Sequence, residues 1–194
     1  MNKFFILIFI AISLAFQSSK NKTIDKGIYI STYSETLRNP VKVTYSVYKF
    51  QGNDTITRTG MNFYSEPGII TASSKDFVGN NYDKGHLAPA ETFSQSKERM
   101  KLTFSYVNCA VQHYQLNRGL WSKLENQERK WSQSDSLIVT VNIKFDKPAK
   151  KLPTGTAIPS EFVKTIKFYY TKKTKRYKFP NNECKGELSQ YEVK

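Results

Sequence analysis

The period of the hydrophobic pattern limits this chain more than any other feature. Residues 41–50 (VKVTYSVYKF) alternate apolar with polar, as a half-buried strand does, and residues 104–111 and 137–145 are strand-like in the same way. Leu116, Leu120 and Leu124 instead recur every fourth residue, with Trp131 near the same face, which predicts an amphipathic helix over about residues 117–133. Residues 167–170 and 176–179 read as further β-structure, and residues 160–166 as a short turn or helix. A helical stripe among several alternating segments makes the expected fold class α+β. Residues 58–82 hold Gly60, Pro67, Gly68 and Gly79 with little periodicity, so a long ordered loop is expected there, of the kind that usually serves a function.

The first residues have a different character. Lys3 precedes an almost wholly apolar run over residues 4–16, which gives way to Gln17, Ser18, Ser19 and Lys20. That is the pattern of an export signal, and the run is short of the ~20 residues a membrane span needs. Residues 1–17 are therefore expected to be a signal peptide, residues 18–37 a polar leader and residues 38–194 the working domain. The expected location is secreted or periplasmic, with no stable membrane association. At 194 residues the chain is long enough for one domain with a real core.

The chain carries 30 Lys and Arg against 16 Asp and Glu, a formal charge of +14, of which the signal segment removes only Lys3. A field of that sign gathers polyanions, and nucleic acid, heparin-like glycans and an anionic membrane surface all qualify. Two cysteines, Cys109 and Cys184, exclude a disulfide framework, and Cys109 is expected to be a buried free thiol. With two histidines and no C-x-x-C, the sequence shows no structural zinc pattern either.

Two segments concentrate polar residues of catalytic type. One is Asp83, Lys84, Gly85 and His86, followed by Leu87, Ala88 and Pro89. The other begins at Asn108; Asn117 follows nine residues later, Glu125 eight beyond that, and Arg129 twelve beyond Asn117. Singly, each has an ordinary explanation: Asn117 as a helix cap, Glu125 and Arg129 as an i,i+4 pair, Trp121 as core, and His86 as a satisfied structural histidine. His113 matches nothing in the pattern and reads as a surface residue.

In this order and spacing the two segments strongly resemble the DNA/RNA non-specific endonuclease family, whose signature is an Asp-Arg-Gly-His stretch followed by the same Asn, Asn, Glu and Arg series. Weaker similarity reaches from Arg38-Asn39-Pro40 to about residue 180, including Ile158 to Lys164. The resemblance implies a central antiparallel sheet with flanking helices and a ββα-metal module. It also implies Mg²⁺ as cofactor, with Mn²⁺ able to substitute, and DNA and/or RNA as partner. Asn117 becomes the metal ligand, and His86, Glu125 and Arg129 the catalytic set. Lys84, Asn108 and Arg58 are expected to bind substrate, while Asp83 and Trp121 support the site.

The chemistry agrees with these types. Phosphodiester hydrolysis needs a proton acceptor for water and a cation for the developing charge. A general base supplies only ~10²–10⁴-fold of the ~8–23 kcal/mol enzymes remove, so a histidine without a cation is insufficient. One neutral amide oxygen suits Mg²⁺, which keeps several waters. At the ordinary imidazole pKa near 6.5, activity is expected to fall as the pH drops through that value.

The chain departs from the family pattern in places. Lys84 stands where the family usually has arginine, which keeps the charge and loses the planar two-toothed grip. Met61 falls where an arginine is usual, with Arg58 the nearest substitute; Val111 replaces a proline, and Asn142 a glycine. A noncatalytic polyanion-binding protein on the same scaffold remains the alternative from another functional class; among enzymes, a narrow ribonuclease or a toxin domain with an immunity partner also remains.

Overall fold

The computed structural model describes residues 21–49 and 56–194. The export signal expected over residues 1–17 lies outside the described residues. In chain order the elements are β1 (Lys22–Asp25), β2 (Tyr29–Ser34), β3 (Asn39–Val47), β4 (Tyr82–His86), α1 (Lys97–Thr103), β5 (Cys109–His113), the single turn α2 (Tyr114–Leu116) and α3 (Ser122–Trp131). Four strands complete the chain: β6 (Leu137–Lys144), β7 (Glu161–Phe168), β8 (Thr174–Pro180) and β9 (Glu192–Val193).

Seven strands form one sheet in the order β1-β2-β3-β6-β7-β8-β9, every neighbouring pair antiparallel. The fold is α+β with a central antiparallel sheet, as expected. Alternation in β3 and β6 puts Val43, Tyr45, Val47, Val139, Val141 and Ile143 on a buried face. Against it packs the apolar stripe Leu116, Leu120, Trp121 and Leu124, sharing one core with Phe162 and Ile166. Each fully buried side chain of this kind contributes about 1.5–3 kcal/mol, so the stripe alone anchors the helix firmly.

Three expectations are corrected. Within residues 18–37, read as a polar leader, β1 and β2 join the main sheet. Tyr29, Ser31 and Tyr33 are buried there, the Ser31 hydroxyl donating to the Val107 carbonyl at 2.6 Å and the Tyr29 hydroxyl to that of Leu102 at 3.1 Å. Residues 160–166, read as a turn or helix, lie mostly in β7, paired on both sides by β6 and β8. The strand expected over residues 104–111 is only Cys109–His113, preceded by a 3-10 turn, Tyr106–Asn108. The helix itself starts as α2, breaks at Gly119 (φ −101°, ψ −111°) in a widened turn over Asn117–Trp121, and resumes as α3. α1, which shows no strong periodicity, is an additional helix.

A separate hairpin, β4 with β5, carries the Asp83–His86 motif, with Gly85 opposite Ala110 and His86 opposite Cys109. Gly85 is needed for a close approach. A Cβ added there would lie 2.6 Å from Gln112 Cβ, nearer than two unbonded carbons can come. Gly85→Ala is therefore expected to spread the hairpin and cost about 1–3 kcal/mol, with activity lost in parallel. Urea unfolding and a plasmid-cleavage assay check this; wild-type values in both would contradict the packing argument. Cys109 and Cys184 are both free and buried, in line with the thiol expected at Cys109.

Candidate active site

The hairpin and the broken helix face each other across a cleft of about 650 Å³. Arg58, Lys84, His86, Asn117, Glu125 and Arg129 all line it, joined by Met61, Phe63, Glu91 and Arg118. The structure thus brings together residues that lie up to 71 positions apart in the chain, from Arg58 to Arg129.

His86 comes from the last position of β4. Its ring sits 4.7 Å, centroid to centroid, from both Phe63 and Phe104, edge-on to the latter. Nε2 is buried and has no protein hydrogen-bond partner. Burial pushes the imidazole pKa down to about 3, and the positive Arg58 adds to the shift. This corrects the expectation of titration near 6.5: His86 stays neutral throughout the neutral and mildly acidic range.

Asn117 stands at the start of the widened turn. Its Nδ2 donates to Asp83 Oδ2 at 2.9 Å. That bond uses the donor side of the amide and leaves the carbonyl oxygen Oδ1 as the atom for a cation. Asp83 is held in turn by Arg118, through Nε to Oδ2 at 2.8 Å and Nη2 to Oδ1 at 2.7 Å. Against the opposing effect of burial, the bonds from Arg118 and Asn117 keep the Asp83 carboxyl below its usual range. Asp83 is thus an orienting group with both oxygens occupied. Among the described residues, no group of three or more His, Cys, Asp or Glu is placed to cage a metal. A cation held through Asn117 Oδ1 would fill the rest of its shell with water and substrate, as a hard divalent ion can.

Glu125 and Arg129 project from successive turns of α3. Glu125 Oε1 and Arg129 Nη1 are buried and unpartnered, like His86 Nε2. Arg129 is anchored by a short bond from Nη2 to Asn126 Oδ1. Burial raises the Glu125 carboxyl to about 7; Lys164 opposes the shift and Glu128 reinforces it. The group that titrates near neutrality is therefore this carboxyl. Lys84 reaches over the rings of Phe63 and Phe77, its ammonium 5.9 Å from each. Arg58 is exposed at the mouth, with Nε 3.9 Å from Glu91 Oε1. Met61 packs under it against Ala90, Met100 and Phe104.

Asn108 departs from its expected role in substrate binding. It is fully buried: Oδ1 accepts from the Ala88 amide at 2.8 Å, and Nδ2 donates to the Ala88 and Thr103 carbonyls, each at 2.9 Å. Both atoms of its side-chain amide are engaged in tying the chain after His86 to the approach to β5. His113 lies at the other end of β5, against Tyr82 and Tyr114, and does not line the cleft.

Behind the cleft, Trp121 was expected to support the site, and sequence reasoning missed the residues packed around it. Trp121, buried in the core, donates Nε1 to the His86 carbonyl at 3.2 Å. The Lys164 ammonium sits 4.0 Å from the centre of the Trp121 ring and 2.9 Å from Glu128 Oε1, with both charged side chains wholly buried. Tyr45 donates to Glu128 Oε2 at 2.7 Å. Nothing in the spacing of Tyr45, Glu128 and Lys164 announces this, because three separate elements supply them.

The chain has relatives among known proteins. The chain is 27% identical over 123 residues to the mitochondrial nuclease EXOG of Danio rerio, covering 62% of this chain and 36% of that protein. It is 26% identical over 159 residues to the mitochondrial nuclease 1 of Schizosaccharomyces pombe, covering 71% and 48%. The chain thus spans half or less of these relatives' length. Among solved structures, a chain of the EndoG/EndoGI complex superposes with a TM-score of 0.77 at 22% identity, covering 89% of this chain and 80% of that one, a likeness of fold. The profile of the DNA/RNA non-specific endonuclease family matches residues 11–194, nearly the whole chain, and the chain belongs to that family.

Proposed function

We propose that this protein is an exported endonuclease that hydrolyses phosphodiester bonds of DNA and/or RNA without sequence preference. The observation that carries the reading is the convergence of three buried, unpartnered polar atoms, His86 Nε2, Glu125 Oε1 and Arg129 Nη1, on the cleft that also holds Asn117. Buried polar groups normally have partners, so three of them in one basic cleft point to a polar substrate that supplies the missing bonds.

His86 accepts the proton of the attacking water at Nε2, a task for which a neutral imidazole is required. Asn117, its amide turned by Asp83, offers Oδ1 to Mg²⁺, or to Mn²⁺ in its place. When bound, the divalent ion supplies charge stabilisation on the phosphate oxygens. Arg129 adds a guanidinium donor for the same phosphate, and Lys84 and Arg58 provide positive charge at the mouth. Glu125, as a carboxylate, accepts hydrogen bonds from water in the cleft and fixes its orientation. Digesting supercoiled plasmid and RNA with purified protein, with and without EDTA, tests the reading. Cleavage that EDTA abolishes supports it, and tight binding with intact nucleic acid would point to a noncatalytic binder.

The basic surface sets the expected mode of recognition. With phosphate contacts dominating, cleavage is expected to fall on the order of tenfold or more between ~50 and ~200 mM salt, with no dominant cut site in a long duplex. A flat salt response or one strong site would contradict it.

Export is the reading for residues 1–17, while the named relatives are mitochondrial. Among the described residues, no helix is long and apolar enough to cross a membrane. N-terminal sequencing of the soluble protein from its own host is expected to show loss of about the first 15–19 residues. Retention of Met1 would overturn export by this route.

A further inference from the structure

A second cleft, of about 520 Å³, opens beside the first and shares Arg58, Glu91 and Arg129 with it. The volume falls in the ~300–1,000 Å³ range of small-ligand pockets. The two clefts differ in chemistry. The catalytic one is lined by charged and polar groups, whereas Val47 and Ile56 give the second an apolar wall. Among the described residues, the charged ones that line it are the three it shares with the catalytic cleft. Tyr48 also lines it, with 63% of its surface exposed, so an aromatic ring is available at the cleft.

Two polar atoms lack partners here. Thr92, only 8% exposed, has a buried hydroxyl with no hydrogen bond, and Arg129, which lines both clefts, has a buried Nη1 without a partner. Gln95 and Gln133 bring amide groups to the same space. Hydroxyl and amide groups each donate and accept, so they can meet the edge of any base without selecting one. An apolar wall with neutral hydroxyl and amide groups along it suits an uncharged planar group.

We propose that this second cleft is a nucleobase subsite: it takes one unstacked base, next to the phosphate held at Arg129, between the Tyr48 ring and the Thr92 side of the wall. The inference rests on the nuclease reading above and deepens it. A base can enter only when it is not paired, so unpaired strands and locally melted duplex are the preferred substrates. Stacking on an aromatic ring tolerates every base, which keeps the site indifferent to sequence.

Two arms test it. In the first, single-stranded oligonucleotides with one abasic residue at successive positions are cleaved by wild-type protein with Mg²⁺. Cutting is expected to drop about tenfold at one bond, always at the same offset from the abasic residue. Tyr48→Ala is expected to lose that offset and to slow single-strand cleavage about tenfold while changing duplex cleavage less, and Tyr48→Phe to behave as wild type. In the second arm, His86→Ala protein with Mg²⁺ is titrated with a deoxythymidine tetranucleotide and with its fully abasic counterpart, and about tenfold tighter binding of the former is expected. Equal binding of the two, or Tyr48→Ala cutting like wild type, overturns the subsite. Base-dependent binding by a protein that cleaves nothing would support the subsite and overturn the nuclease reading instead.

Discussion

Replacing His86 with alanine is expected to lower turnover by about 10²–10⁴-fold while leaving Mg²⁺ affinity unchanged. Asn117→Ala is expected to fail differently: the Mg²⁺ concentration needed for half-maximal rate rises, and activity returns in part at high metal. The difference follows from the site. His86 Nε2 is a buried atom with no protein partner, whereas the Asn117 amide is turned by Asp83 so that its oxygen is spare. A Mg²⁺ titration of plasmid cleavage for both variants, with metal affinity measured by calorimetry, separates the roles. Near-normal turnover in His86→Ala, or wild-type metal affinity in Asn117→Ala, would remove the assignment.

The pH profile adds a second constraint on the same site. With His86 near 3, the imidazole does not set the acid limb between pH 4 and 7. Glu125 sits at about 7 because of its burial, partly offset by Lys164, and must be ionised to accept hydrogen bonds from water. Activity is thus expected to fall as the pH drops through the Glu125 value, and a cation in the cleft, favouring the carboxylate, moves that limb downward. Glu125→Gln is expected to be slow and to lack the limb. An unchanged limb in that variant would return the titration to another group.

The largest expected effect on stability belongs to Lys164→Met. Lys164 and Glu128 are both fully buried, and removing the ammonium leaves the Glu128 carboxylate with only the Tyr45 hydroxyl. Breaking one side of such a pair costs about 3–5 kcal/mol, whereas replacing both partners with apolar residues of similar volume is often near neutral. Urea unfolding of Lys164→Met, Glu128→Leu and the double variant checks this as a double-mutant cycle. The double variant is expected to recover most of the loss. If Lys164→Met unfolds like wild type, the pair carries no weight. Because the Lys164 ammonium faces the Trp121 ring, and Trp121 holds the His86 carbonyl, the single variant is expected to lose turnover before it loses the fold.

The local order of the motifs was already determined in the sequence. The alternation of β3 and β6, the four-residue recurrence of the leucines and the spacing from Asn108 to Arg129 are properties of neighbouring residues, and neighbours alone reveal them. They sufficed for an α+β chain with a hairpin and helix, and for the family. Tertiary structure decided the rest, wherever a polar residue is buried because a distant group satisfies it. Within the stretch read as a polar leader, Ser31 is buried in β2 because its hydroxyl finds the Val107 carbonyl. Lys164 sits in β7, read as a turn or helix, and is buried there because Glu128 pairs with it. Asn108 looks like a substrate contact until the Ala88 and Thr103 backbones are found bonded to both atoms of its amide. The downward shift of His86 has the same origin, since Phe63 and Phe104, which desolvate it, are remote in the chain. A sequence pattern records which side chains dislike water; which of them find a partner away from it depends on contacts that only the folded chain makes.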